Sequence, residues 1–113
     1  FRATEMNAQE VANVIWGCAK MRLGKPELQE LAPVFARVVV DRADDLDAQA
    51  ISNIIWACAT LRREAPALLE TVPVLAEMAE ERADELEAQH ISNIFWSTAT
   101  LRRDAPDLLQ LLP

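Results

Sequence analysis

The chain predicts an all-α fold: an α-solenoid of stacked antiparallel helix-turn-helix repeats with a 40-residue period. Three observations predict it. Trp16, Trp56 and Trp96 return every 40 residues, inside Asn13-Val14-Ile15-Trp16, Asn53-Ile54-Ile55-Trp56 and Asn93-Ile94-Phe95-Trp96. Prolines keep the same spacing, at Pro26, Pro66 and Pro106 and again at Pro33, Pro73 and Pro113. Between them the apolar residues fall at helical intervals. Self-similarity at such a period means that one unit does not bury its own apolar face, so copies must stack into a continuous core. The copies run over about 6–45, 46–85 and, in part, 86–113. Opening at Phe1 and stopping at Pro113, the 113 residues read as a piece of a longer array.

The first helix of each copy starts after Asn7, Asp47 or Glu87. Asn7 and Asp47 are good N-caps, and Asn7 with Glu10 matches a capping box. The helix ends near Met21, Leu61 and Leu101. Its buried stripe is Val11, Val14, Ile15, Cys18 and Met21, repeated as Ile51, Ile54, Ile55, Cys58 and Leu61, then Ile91, Ile94, Phe95, Thr98 and Leu101. At about 100° per residue the opposite ridge carries Gln9, Asn13, Trp16 and Lys20, then Gln49, Asn53, Trp56 and Thr60, then Gln89, Asn93, Trp96 and Thr100.

The second helix begins at Pro26, Pro66 or Pro106, since proline at the first helical position loses no intrahelical bond. It runs to about Ala43 and Ala83. Pro33 and Pro73 fall inside it, where a proline removes a backbone bond, so this helix should kink or restart there. Leu28, Leu31, Phe35, Val38 and Val39, and then Leu68, Val72, Leu75 and Ala79, pack it against the first helix.

A net charge of -7 and a pI near 4.6 argue against indiscriminate nucleic-acid binding, because phosphate affinity comes mainly from Lys and Arg. The charge is divided between two edges. Lys20, Arg22, Lys25, Arg62, Arg63, Arg102 and Arg103 lie on the edge between paired helices, diluted by Glu27, Glu64, Asp104 and Asp107. Asp41, Asp44, Asp45 and Asp47, then Glu77, Glu80, Glu81, Asp84, Glu85 and Glu87, crowd the opposite edge. No run of about 18 apolar residues appears, so no membrane partner is expected. Cys18 and Cys58 share one position in successive copies, and helices stacked roughly 8 to 10 Å apart hold such thiols too far apart to bridge.

The stretch from Asn7 to Met21, Asn-Ala-Gln-Glu-Val-Ala-Asn-Val-Ile-Trp-Gly-Cys-Ala-Lys-Met, resembles the signature of the octotricopeptide repeat, and so do 48–61 and 88–101. The likeness covers nearly the whole chain: Ala-Gln, Asn four residues on, Trp three further. The unit here is 40 residues where the family's name implies 38. What the resemblance implies is an α-solenoid that binds single-stranded RNA in a chloroplast or mitochondrion and helps stabilise, process, edit or translate transcripts. Related helical arrays stand beside RAP domains, in FAST-kinase-like proteins and in RNA-editing substrate-binding complexes.

Candidate RNA-binding residues are Gln9, Asn13, Lys20, Arg22, Gln49, Asn53, Arg62, Arg63, Gln89, Asn93, Arg102 and Arg103. Gln and Asn offer a donor and an acceptor to a base edge. Positions that vary between copies would discriminate bases: Glu10, Ala50 and His90; Gly17, Ala57 and Ser97; Lys20, Thr60 and Thr100. Each feature also has a plainer role. The tryptophans are expected to pack between neighbouring copies, with stacking on bases as the alternative. The asparagines are expected to form a hydrogen-bonded ladder between helices. Arg22, Arg62 and Arg102 suit the negative end of a helix dipole. His90, the only histidine, reads as a surface variant, and the acidic runs as solvated faces. No catalytic triad, phosphate-cradling glycine loop or metal-ligand spacing is present, so neither an enzyme nor a cofactor is expected. A protein-interaction scaffold using the same surface is the alternative function.

Overall fold

The computed structural model describes residues 7–21 and 26–104. Five α-helices follow one another: α1 (Ala8–Met21), α2 (Pro26–Asp41), α3 (Ala48–Thr60), α4 (Val72–Glu81) and α5 (Ala88–Asp104). Short 3-10 turns lie at Ala43–Asp45, Pro66–Thr71 and Ala83–Glu85. Among the described residues there is no strand, and no helix is long and apolar enough to cross a membrane. Arg22, Lys25 and the helix expected from Pro106 lie outside the described residues, as do the side chains of Met21 and Leu28.

Helices α1, α3 and α5 begin 40 residues apart, and local chemistry sets each start. Asn7 Oδ1 accepts from the Glu10 N–H at 2.8 Å while the Asn7 N–H donates to Glu10 Oε1 at 3.0 Å, a complete capping box. Asp47 Oδ1 accepts from the Ala50 N–H at 2.8 Å. At α5 the reciprocal bond is supplied by the histidine: the Glu87 N–H donates to His90 Nδ1 at 3.1 Å. His90 is thus a half-buried capping residue, not the plain surface variant expected from its isolation in the sequence.

The second helices differ between copies. Pro33 sits inside an unbroken α2, whereas in the next copy Pro66–Thr71 is a 3-10 segment and α4 restarts with Pro73 in its first turn. A hydroxyl explains the restart. Thr71 Oγ1 donates to the Leu68 carbonyl at 2.8 Å, and the Cys58 thiol donates to the same oxygen at 3.3 Å. Short polar side chains that bond nearby backbone compete with the helical pattern; Leu31 holds the corresponding place in α2 and offers no such bond. Both helices stop at Asp41 and Glu81, just short of the expected ends, and tighten into 3-10 turns over Ala43 and Ala83. Helix α5 runs three residues past Leu101; after α3 the same stretch is a run of turns closed by the Ala65 N–H donating to the Leu61 carbonyl.

Helix α3 is the centre of the packing, with α1 against one flank and α5 against the other. The segment 66–71 lies on α2, and α4 lies on α3. Val11, Ile15, Phe35, Val39, Ile51, Ile54, Ile55, Leu61, Leu68 and Leu75 are fully or almost fully buried there. Burial identifies the flanks. Ile51, Ser52, Ile55 and Ala59 are buried in α3 while Ile91, Phe95 and Ala99 are exposed in α5, so these positions face the helix that follows. The Ser52 hydroxyl donating to the His90 carbonyl at 3.4 Å fits that direction. Ala50, Ala57 and Cys58 are buried where Glu10, Gly17 and Cys18 are more open, so these face the helix that precedes.

The stripe expected to be buried in the third copy is therefore partly open: Ile91 is 41% and Phe95 71% exposed. No described element covers α5 as α4 covers α3. A groove of about 600 Å³ lies there instead, lined by Ile55, Val72, Ala76, Ile94, Phe95 and Leu101 among others.

Candidate functional site

Opposite the core, α1, α3 and α5 each carry a ridge with the same sequence pattern. Gln9, Asn13, Trp16 and Lys20 are exposed on α1; Gln49 is exposed and Asn53, Trp56 and Thr60 half-buried on α3; Gln89 and Trp96 are exposed and Asn93 and Thr100 half-buried on α5. These sets occupy matching turns of helices in direct contact, α1 with α3 and α3 with α5. The face therefore offers amides and indoles in file, on three adjacent elements.

The packing between copies expected of the indoles is met in part by Trp56 and less by the other two. Trp16 is 38% and Trp96 49% exposed, and Trp56 only partly packs against the core. The seams are closed by smaller groups, since Ala12, Ala19, Ala50, Ala57, Ala59, Ser52 and Ser97 are all buried. Small side chains at these positions let the helices approach closely. Lys20 Nζ stands 5.3 Å from the centroid of Trp16, one helical turn away, and 6.0 Å from that of Trp56 on the neighbouring helix. Both distances are within reach of a cation–π contact. One ammonium thus ties two copies together across the solvent face.

The expected asparagine ladder is not formed. Among the described residues, no side-chain hydrogen bond joins Asn13, Asn53 or Asn93 to a neighbouring helix. The polar link between α3 and α5 is the Ser52 hydroxyl, and Ser97 and Thr98 return their hydroxyls to the Asn93 and Ile94 carbonyls of their own helix at 2.7 Å. The amides are left facing outward or half-covered, with their bonding capacity available to a ligand.

Two of the three variable sets are misplaced for base discrimination. Ala50, Ala57 and Ser97 are buried in helix seams, and His90 is engaged at the cap of α5. Only the set Lys20, Thr60 and Thr100 lies beside the indoles. Thr60 Oγ1 is a buried side-chain polar atom without a hydrogen-bond partner.

On the edge between paired helices, Arg63, Arg102 and Arg103 project from the last turns of their copies, with Arg102 and Arg103 exposed. Arg62 is half-buried and its guanidinium donates to the Ala59 carbonyl at 2.8 Å, the terminal role open to a cation in the last turn. Arg22 lies outside the described residues. The opposite edge holds a recess of about 260 Å³ lined by Asp41, Asp44, Glu77 and Glu81 with Val40, Val74 and Met78. Arg82 donates to the Asp44 carbonyl at 2.8 Å, joining the turn after α2 to the end of α4.

Cys18 and Cys58 are free thiols. Burial pushes the Cys58 thiol up to about 12, against a smaller opposing pull from the Thr71 hydroxyl 3.3 Å away. Burial also raises Cys18, which is only half-covered. Among the described residues no cluster of His, Cys, Asp and Glu is arranged to hold a metal ion.

Sequence reasoning missed the Lys20 bridge, the capping histidine and the orphaned Thr60 hydroxyl. The first had a signal in the sequence, because Lys20 follows Trp16 by one helical turn. No family model, curated protein or solved structure matches this chain.

Proposed function

We propose that the chain is a segment of an α-solenoid with a 40-residue period, its copies at about 6–45, 46–85 and 86–113, which binds single-stranded RNA without catalysis. The observation that carries this reading is the file of Gln9 and Asn13, Gln49 and Asn53, and Gln89 and Asn93 on three adjacent helices, with no interhelical bond among the described residues taking up the asparagine amides. Helical repeats read single strands in this manner, each step presenting two or three side chains to one base. Arg63, Arg102 and Arg103 border the same helices and supply cations for the phosphates, with Arg62 held as a cap. Amides identical in every copy fix register and do not distinguish bases. The resemblance to octotricopeptide repeats supports an organellar setting, in a chloroplast or mitochondrion, and a role in transcript stabilisation, processing, editing or translation.

Fluorescence anisotropy with single-stranded RNA pools at low salt tests the reading. Saturable binding is expected. Replacing Arg62, Arg63, Arg102 and Arg103 by Ala should weaken it and flatten the log-log salt slope by about 0.7 for each phosphate that is no longer neutralised. A flat titration would sink it. A protein-interaction scaffold is favoured by one specific observation, the recess lined by Asp41, Asp44, Glu77 and Glu81 in a chain of net charge -7. Salt-sensitive binding of a basic peptide, abolished by neutralising those four residues and accompanied by no RNA binding, would establish that reading in its place.

A further inference from the structure

Helices α1 and α5 stand at the two ends of the file, and each leaves open a face that the other first helices bury. Val11, Ala12, Ile15 and Ala19 are buried in α1, and Ile51, Ser52, Ile55 and Ala59 at the same positions in α3. Their counterparts in α5, Ile91, Ser92, Phe95 and Ala99, are exposed. On the opposite flank Ala50, Ala57 and Cys58 are buried in α3, whereas in α1 Glu10 is exposed and Gly17 and Cys18 are half-buried. The two open faces are therefore the two halves of a seam that the molecule already builds twice, with α1 on α3 and α3 on α5.

Both halves also depart from the internal seams, and the departures compensate. On the α5 side a phenyl ring at Phe95, 71% exposed, takes the place of Ile15 and Ile55. On the α1 side Gly17 takes the place of Ala57 and Ser97, both fully buried, and a Cβ added to Gly17 meets nothing within 4 Å. One half gains volume where the other gives it up, as close packing of two meeting surfaces requires. A polar link is available too. The Ser52 hydroxyl donates to the His90 carbonyl across the seam between α3 and α5, and Ser92 carries the same hydroxyl, exposed, one copy on. The Glu10 carbonyl of α1 holds the acceptor's position.

We propose that a second copy of this chain docks its α1 on the open face of α5, so that the internal seam is repeated between molecules. The contact uses different faces on the two partners, so a pair still has one open face at each end and can add further copies. Within one chain the seam forms intramolecularly. Between chains the same faces meet the cost of association, so assembly grows with concentration and dilution returns the single chain. Docked copies carry the ridge of Gln, Asn and Trp on from one molecule to the next, whatever that ridge binds.

Sedimentation velocity over a dilution series tests the docking, with circular dichroism and thermal melts to confirm that each variant folds. The native chain should rise in mass on concentrating and pass beyond a pair. Phe95→Lys alters only the α5 face and Gly17→Lys only the α1 face, and each alone should remain a single chain. Lysine makes the net charge less negative, so a loss of association is not added repulsion between acidic chains. An equal mixture of the two variants should form a pair and nothing larger, because each supplies the face that the other has lost. A native chain that stays single at every concentration would overturn the docking, as would association that neither substitution reduces, or a mixture that forms no pair. Pairs that Phe95→Lys abolishes and Gly17→Lys leaves intact would assign the contact to α5 on α5 and overturn it as well.

Discussion

Cys58 shows how one residue's surroundings translate into a measurable pH dependence. The side chain is 1% exposed, its thiol reaches the Leu68 carbonyl and the Thr71 hydroxyl, and burial lifts it from an ordinary 9 to about 12. In the unfolded chain the thiol ionises at its ordinary value, while in the folded chain it stays protonated. The stabilisation is therefore full below about 9 and is lost as pH rises from about 9 towards 12, because the unfolded state gives up its proton first. The chain has no Tyr to titrate in the same range. Urea midpoints measured from pH 8 to about 11 should fall for the native chain and stay flatter for Cys58→Ala. Parallel curves for the two proteins would show that Cys58 ionises as freely folded as unfolded. At this scale the sequence was a partial guide. Burial of Cys58 was legible from its place in the apolar stripe, whereas Cys18 and Thr98 at the matching places are only half-buried. The exposure of the indoles was not, since a large ring recurring with the period is equally consistent with a seam or a surface.

Between copies the same sequence punctuation gives two different elements, and the prolines show why. Pro33 lies in the interior of α2, where it has no N–H to give the carbonyl four residues back; Pro73 lies in the first turn of α4, where that donor has no helical partner in any case. Replacing Pro33 by Ala should raise stability by roughly 1 to 3 kcal/mol, because Pro33 is exposed and its removal uncovers no core. Pro73→Ala should change it by less than about 0.5 kcal/mol or lower it slightly, since the fixed φ favours a helix start. Equal effects in thermal denaturation would mean that the unbroken α2 tolerates its proline without cost. Helix starts were the best-determined feature of the sequence, because Asn7 and Asp47 act through bonds only three residues long. The restart at Val72 was less so. It depends on the Thr71 hydroxyl and the Cys58 thiol converging on one carbonyl, a meeting of residues 13 positions apart that no local pattern displays.

Across the whole molecule, burial runs in a gradient that the periodic sequence conceals. Ile15, Ile55 and Phe95 hold one position in α1, α3 and α5, and periodicity treats them alike. Their surroundings differ. Ile15 is 0% and Ile55 4% exposed, while Phe95 is 71% exposed at the mouth of the 600 Å³ groove. Removing a buried isoleucine side chain costs the transfer of its atoms and the cavity left behind, about 2 to 5 kcal/mol. Removing a ring that already stands mostly in water costs little of either. Ile55→Ala should therefore lower the unfolding free energy by about 2 to 5 kcal/mol and Ile15→Ala by a similar amount, whereas Phe95→Ala should stay within roughly 0.5 kcal/mol of the native chain. Denaturant titrations of the three variants, read with a common slope, make the comparison. A Phe95→Ala cost as large as that of Ile55 would mean that α5 is covered in solution by something that packs as tightly on it as α4 packs on α3.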